Sequence, residues 1–143
     1  MLHRITYVSE AKGSLGTSLL SVAQILGVSE VNNRRDHLTG AIAIDAGRIV
    51  QVIEGSRTDV DRLLGRLKAD PRHANLSILA DRPVPERLFD VPMAHCHFEN
   101  GSARLDLLAL AEGQIPVGRA EDLLARCARG DGTPAAARTG TDG

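Results

Sequence analysis

The chain has 143 residues, a formal net charge of −1 and a hydrophobic fraction of 43%, which suits one globular domain with a modest appendage. Aromatic residues make up only 2%, so Leu, Ile, Val and Ala must fill the core and no wall of rings is available to stack bases. The near-neutral charge sets aside direct nucleic-acid binding, and no stretch approaches the roughly 20 apolar residues that a membrane span requires.

The first residues enter an alternating strand without the charged and apolar regions of a signal peptide. Cys96 and Cys127 are too few for a disulfide framework, so a reducing cytoplasm is the expected compartment. Leu2 to Val8 alternates as a strand, with His3, Ile5 and Tyr7 on one face. After the break at Gly13-Ser14, Leu15, Leu19, Val22 and Leu26 recur at helical spacing. Continued past Ser29, that stripe reaches Asn33, so a polar amide shares the face of the buried leucines.

Thr39 to Asp45 and Ile49 to Glu54 form a predicted hairpin around Asp45-Ala46-Gly47-Arg48. Ser56-Arg57-Thr58-Asp59 starts a second helix with Val60, Leu63, Leu64 and Leu67 on its buried face, and Pro71 closes it. Asn75 to Ala80 is a further strand, Pro83 and Pro85 mark a connection, and Val91 to Phe98 is the last strand. The order β-α-β-β-α-β predicts an α+β, ferredoxin-like fold: a mixed five-stranded sheet with two helices on one face.

Residues 1–98 are thus expected to form the domain and 99–129 a helical extension, with 130–143 a Gly-, Thr- and Ala-rich disordered tail. The extension holds two short amphipathic segments, Ala103 to Ala111 and Arg119 to Arg129. Their apolar stripes (Leu105, Leu108 and Ala109, then Leu123, Leu124 and Cys127) are too short to stand alone. They are expected on the sheet face opposite the functional site, or across a dimer interface. No effector domain is expected to follow.

Gln51 interrupts the strand run Ile49-Val50-Gln51-Val52-Ile53-Glu54-Gly55. A buried amide without partners costs roughly 1–3 kcal/mol, so both of its ends need satisfying. Rotation about its last bond exchanges donor and acceptor, which rewires a network without moving the backbone. Read singly, Gln51 is a structural amide, Tyr7 a core tyrosine, Asn32-Asn33 a helix stop and Asp70-Pro71-Arg72-His73 a polar turn. His95-Cys96-His97 invites a metal, but in a strand Cys96 points away from both histidines, and no metal site is expected.

The ordered set Tyr7-Val8-Ser9, Asn32-Asn33-x-Arg35-Asp36-x-x-Thr39-Gly40, Gln51-x-x-Glu54-Gly55 and Asp70-Pro71-Arg72-His73 resembles the BLUF family, small flavin-binding modules that sense blue light. The match runs from about Leu2 to about Met93. The resemblance implies a photoreceptor that turns nothing over: Tyr7 gives an electron and a proton to the excited flavin, and Gln51 switches its hydrogen bonds. It places Asn33 on the N3 and C4=O edge of the ring and Asn32 near the ribityl or phosphate part. Ile25 and Leu67 sandwich the ring, and Arg72 and His73 take its C2=O side. Asp70 and Arg66 stand nearby, one of Arg34 and Arg35 faces a phosphate, and Met93 completes the photoactive group. Val91 stands where family members often carry Trp, and that segment is one residue shorter than usual.

FAD is the implied cofactor, with FMN or riboflavin as alternatives. Expected partners are a downstream protein and a second copy of the chain, with no membrane and no direct nucleic acid. Two rivals remain open. One is an acylphosphatase-like hydrolase on the same fold, with Gly13-Ser14-Leu15-Gly16 as its phosphate loop. The other is an interaction domain without photochemistry.

Overall fold

The computed structural model describes residues 2–11, 31–45, 48–69, 73–96, 110 and 112–129. Its elements in chain order are β1 (Leu2–Ala11), β2 (Thr39–Asp45), β3 (Arg48–Ser56), α1 (Arg57–Ala69), β4 (His73–Val84), β5 (Ala94–Cys96) and α2 (Val117–Ala128). The predicted first helix from Leu15, the phosphate loop Gly13 to Gly16, the segment Ala103 to Ala109 and the tail 130–143 lie outside the described residues.

The five strands run in the order β4-β1-β3-β2-β5, with β5 parallel to β2 and every other pairing antiparallel. This is the mixed, ferredoxin-like α+β sheet that the strand spacing predicts. Alternation divides it into two faces. On the front, Ile5, Tyr7 and Ile53 pack with Leu38 and with Val60, Leu63 and Leu64 of α1. On the back, Val8, Ala41, Ala43, Val50, Val52 and Cys96 receive Ala120, Leu123, Leu124 and Ala125 of α2. Of the two expected seats for the C-terminal helix, the structure takes the opposite sheet face.

Local chemistry explains the element ends. Ser56 caps α1: its Oγ accepts the Asp59 backbone N–H at 3.1 Å. Residues 31–35 are helical, and the chain leaves that turn through His37, whose φ of 58° puts it in the left-handed region. Leu38 N–H closes the turn onto Asn33 C=O at 2.8 Å. Asn32 and Asn33 are therefore not the stop residues; they remain in the helical turn and leave their side chains for other work.

Several boundaries differ from the sequence reading: β1 runs on to Ala11, β3 spans Arg48–Ser56, β4 starts at His73 and α2 at Val117, and two further differences have a physical reason. β4 continues through Pro83 to Val84, because β4 is an edge strand where a missing backbone donor is tolerated. β5 begins at Ala94 instead of Val91, since Val91 and Pro92 are held by single hydrogen bonds from Gly40 N–H and Asn33 Nδ2 instead of a ladder; His97 and Phe98 lie outside the described residues. Both motif glycines permit close approaches: a Cβ at Gly40 would run into the Val52 carbonyl oxygen, and one at Gly55 into the Leu38 side chain.

Across the back face, Arg82, Arg4, Glu54 and Thr39 stand in register on β4, β1, β3 and β2. Two neighbouring guanidinium groups repel unless each has its own anion. Arg4 Nε donates to Glu54 Oε2 at 2.7 Å, while Arg82 Nη1 donates to Glu121 of α2 at 3.2 Å. Thr6 Oγ donates to the same Glu121 carboxylate at 2.8 Å. Glu121 thus clasps α2 to the sheet at a buried position within an apolar interface.

Glu121→Ala leaves the buried Thr6 hydroxyl without its acceptor and should cost about 1–3 kcal/mol. Urea denaturation should show a lower midpoint with an unchanged slope. Pairing Glu121→Leu with Thr6→Val should recover much of the loss, because both polar partners are then gone. An unshifted midpoint in Glu121→Ala would mean that α2 does not rest on this contact.

Candidate functional site

The register of β1 and β3 sets Tyr7 directly opposite Gln51 on the front face. Tyr7 is 0% exposed and Gln51 4%, so neither meets bulk water. The Tyr7 hydroxyl donates to Gln51 Oε1. Gln51 Nε2 donates to Met93 Sδ at 3.6 Å. One half of the amide therefore holds a firm partner, and the other rests on a thioether, a weak acceptor. Burial pushes the Tyr7 phenol well above its ordinary pKa.

Met93 reaches Gln51 from just before β5, and three ties aim the chain there. Gly40 N–H donates to Val91 C=O at 3.1 Å, and Asn33 Nδ2 donates to Pro92 C=O at 3.0 Å. Upstream, the buried Glu54 carboxylate accepts the backbone N–H groups of Leu88 and Phe89 at 2.8 and 3.1 Å. With Val91 in place of the expected Trp, Met93 is the side chain that meets the amide.

Asn33 is 1% exposed, and its Oδ1 has no partner although its Nδ2 has one. A buried acceptor without a donor costs about 1–3 kcal/mol, so the position suits a group that presents an N–H. The flavin ring edge, N3–H beside C4=O, has that chemistry, and the residues present fit it. On the same side Asp36 is buried and accepts Arg35 Nε at 3.0 Å and Arg66 Nη1 at 3.3 Å. The Arg35 hydrogen bond, foremost, holds the Asp36 carboxyl below its ordinary value. The second terminal nitrogen of Arg66 is buried without a partner.

Of the site residues read from sequence, the structure links Tyr7, Gln51 and Met93 by hydrogen bonds and ties Asn33 to the carbonyl of Pro92, next to Met93. Leu67 is half-buried against the front cluster, Asn32 is half-buried in the helical turn, and Arg66 turns to Asp36. Ile25, Asp70 and Arg72 lie outside the described residues, and His73 is described only as the first backbone position of β4. In the His95-Cys96-His97 run, His95 is exposed and Cys96 buried, as alternation requires, while His97 lies outside the described residues.

A cavity of about 510 Å³ opens at the Leu2 end of β1, between His37, Asp59, Val84 and Arg87, and none of the network residues lines it. Among the described residues, the network and not this cavity combines a buried phenol–amide pair with an unmet acceptor nearby.

Sequence reasoning missed Glu54 as an organiser and Glu121 altogether. Both left a signal. Glu54 falls opposite Arg4 once the strands are aligned by period two, and Glu121 sits within the apolar stripe of its helix, one turn before Leu124.

Comparison with known proteins gives the class first: the fold is that of blue-light sensor domains. The sequence matches the family described as BLUF, sensors of blue-light using FAD, over residues 2–94. The chain belongs to the BLUF family. A curated relative, photoactivated adenylate cyclase subunit beta-like protein 1224-5/9F of Euglena gracilis, is 32% identical over 90 residues, or 63% of this chain and 10% of the relative. The chain therefore spans about a tenth of the length of the curated relatives it matches.

Among solved structures, the dark state of the BLUF protein BlrB is similar with a TM-score of 0.63 and 30% identity, covering 68% of this chain and 73% of that one. The photo-activated state of BlsA has a TM-score of 0.73 at 20% identity, covering 87% and 95%, a likeness of fold. No helix among the described residues is long and apolar enough to cross a membrane.

Tyr7 is the only tyrosine in the chain, which makes its phenol directly observable. A pKa raised by folding means that the neutral phenol is the stabilising form. Its contribution is complete below the ordinary value of about 10 and is lost as pH climbs beyond it. Tyrosinate absorbance, read against Tyr7→Phe as the blank, should rise only together with alkaline unfolding seen by circular dichroism. Tyrosinate forming at the ordinary value in folded protein would contradict this.

Proposed function

We propose that this chain is a blue-light receptor that holds FAD beside Tyr7, Gln51 and Asn33 and signals by switching the Gln51 amide. The observation that supports this most directly is the buried chain from Tyr7 through Gln51 to Met93, flanked by the unpartnered Asn33 Oδ1. When bound, the flavin supplies blue-light absorption and, once excited, a one-electron acceptor. In the dark, Tyr7 holds its proton against Gln51 Oε1, and burial leaves that bond as its exit route.

A turn of the Gln51 amide presents Nε2 to the tyrosine oxygen and Oε1 to Met93. A thioether accepts but cannot donate, so the turned amide loses its Met93 partner. The segment 91–93 is thereby released from one of its ties. The output is a shift in conformational population with nothing turned over.

FAD, rather than FMN or riboflavin, is the cofactor named in the family description. Asn32, Ile25, Leu67, Arg66, Asp70, Arg72 and His73 are proposed to line the rest of the flavin site, on the family resemblance. Output through a downstream protein or a second copy, in a cytoplasmic setting, completes the reading. The relatives named as photoactivated adenylate cyclase subunits offer a precedent for coupling such a domain to an effector.

Tyr7→Phe and Gln51→Leu should both purify yellow, yet neither should show the small red shift in light-minus-dark absorption. Full red shifts in both would place the switch elsewhere. Asn33→Ala should instead weaken flavin retention roughly thirty-fold, because it removes a pair of hydrogen bonds worth about 1 kcal/mol each. Equilibrium titration of the apoprotein with FAD measures that change.

A further inference from the structure

Cys96 and Cys127 take no part in the switching network, yet the fold brings them together. Cys96 is in β5, shortly after Met93, and is fully buried in the back-face cluster. Cys127 lies near the end of α2, half-buried against that same cluster. Both cysteines are free thiols, and the Cys127 side chain packs against the cluster that contains Cys96. Cys96 Sγ also approaches the carbonyl oxygen of Leu124, about one helical turn before Cys127, at 3.9 Å. The Cys96 sulfur thus faces α2 about one turn from Cys127, and a bond between them needs the two sulfurs to close to about 2.05 Å.

The two thiols are not equivalent. The hydrogen bond to Cys127 and then burial push the Cys96 thiol above its ordinary value, so it is a poor first nucleophile. Cys127 is partly exposed and is the sulfur that a small oxidant can reach.

We propose that Cys96 and Cys127 form a redox-responsive modification site, at which a hydroperoxide converts the two thiols into a reversible disulfide between β5 and α2. Cys127 gives up its proton, and its sulfur attacks one peroxide oxygen. The O–O bond breaks, an alcohol or water leaves with that proton, and Cys127 becomes a sulfenic acid. The Cys96 sulfur then attacks the Cys127 sulfur. The S–S bond forms, the S–OH bond breaks, and the hydroxyl departs with the Cys96 proton as water. Two thiols lose two electrons, and the peroxide gains them.

The resulting bond ties α2 covalently to the strand that follows Met93. It complements the Glu121 clasp, which holds α2 to β1 by a hydrogen bond and to β4 by an ion pair, both non-covalent.

The test uses the full-length flavin-loaded protein, reduced, desalted, kept in the dark and exposed to hydrogen peroxide. Catalase stops the reaction, and the unfolded chain is alkylated with N-ethylmaleimide before peptide mass spectrometry. Both cysteines should lose alkylation in parallel. Their peptides should appear joined within one chain, lighter by a hydrogen pair, and dithiothreitol should restore them.

Cys127→Ser should leave Cys96 fully alkylatable, and Cys96→Ala should leave Cys127 reactive to dimedone as a sulfenic acid. The Cys127→Ser result stands by itself where Cys96→Ala fails to fold, because position 127 is only half-buried. Full alkylation of both cysteines after peroxide overturns the proposal, as does a disulfide joining two chains, or Cys127 oxidised to sulfinic acid beside an unmodified Cys96. None of these readouts depends on light, so the photoreceptor reading stands or falls separately.

Discussion

The structure turns on one buried carboxylate. Glu54 is 0% exposed on a central strand, and an unpaired ion there would be prohibitively costly. Every neighbour that could meet it does: Arg4 from β1, Thr39 from β2, and the backbone N–H groups of Leu88 and Phe89 from the connection beyond β4. The last two contacts matter most. They fix where an irregular segment begins, and the ties at Val91 and Pro92 fix where it ends. Met93 arrives at Gln51 because the chain on either side has little freedom. A charge on the back face thus sets a hydrogen bond on the front.

The same logic governs the second buried acid. Register puts Arg4 beside Arg82, and one carboxylate cannot serve both. The sheet supplies Glu54 for one and α2 supplies Glu121 for the other. The C-terminal helix is therefore more than a greasy cover. Without its carboxylate, Arg82 would lose an ion pair and Thr6 its acceptor. Since Arg82 is substantially exposed, the Thr6 bond is the one with the larger energetic consequence.

Period-two alternation made the sheet readable from the amino acids. Ile5, Tyr7, Gln51 and Ile53 fall on one face by counting, and the observed register agrees. The motif residues Tyr7, Gln51 and Asn33 could be assigned together because their spacing is fixed by elements that were themselves clear. What stayed hidden is what depends on cross-strand partners. Nothing local marks Glu54 as the ligand of a loop some thirty-odd residues away. Pro83 read as a break because a sequence does not say which strand lies at an edge. The last strand starts at Ala94 and not at Val91, and alternation from Val91 onward looks the same whether a ladder or isolated ties hold it.

Two structural paths leave the Tyr7–Gln51 pair, and both end on α2. One runs through Met93 into β5 and on to Cys96, which packs with Leu124. The other runs along β1 from Tyr7 to Thr6, whose side chain lies on the back face and donates to Glu121. They differ in kind. The first begins at the weakest hydrogen bond of the network, the thioether contact, which under the proposed turn of the amide is the one that is lost. The second is built from firm contacts on a strand paired on both sides, and it resists change. Adjacency alone does not make a signal, but the two ends of α2 are held differently: the Glu121 end by a hydrogen bond to β1 and an ion pair to β4, the Cys127 end by packing over the back-face cluster.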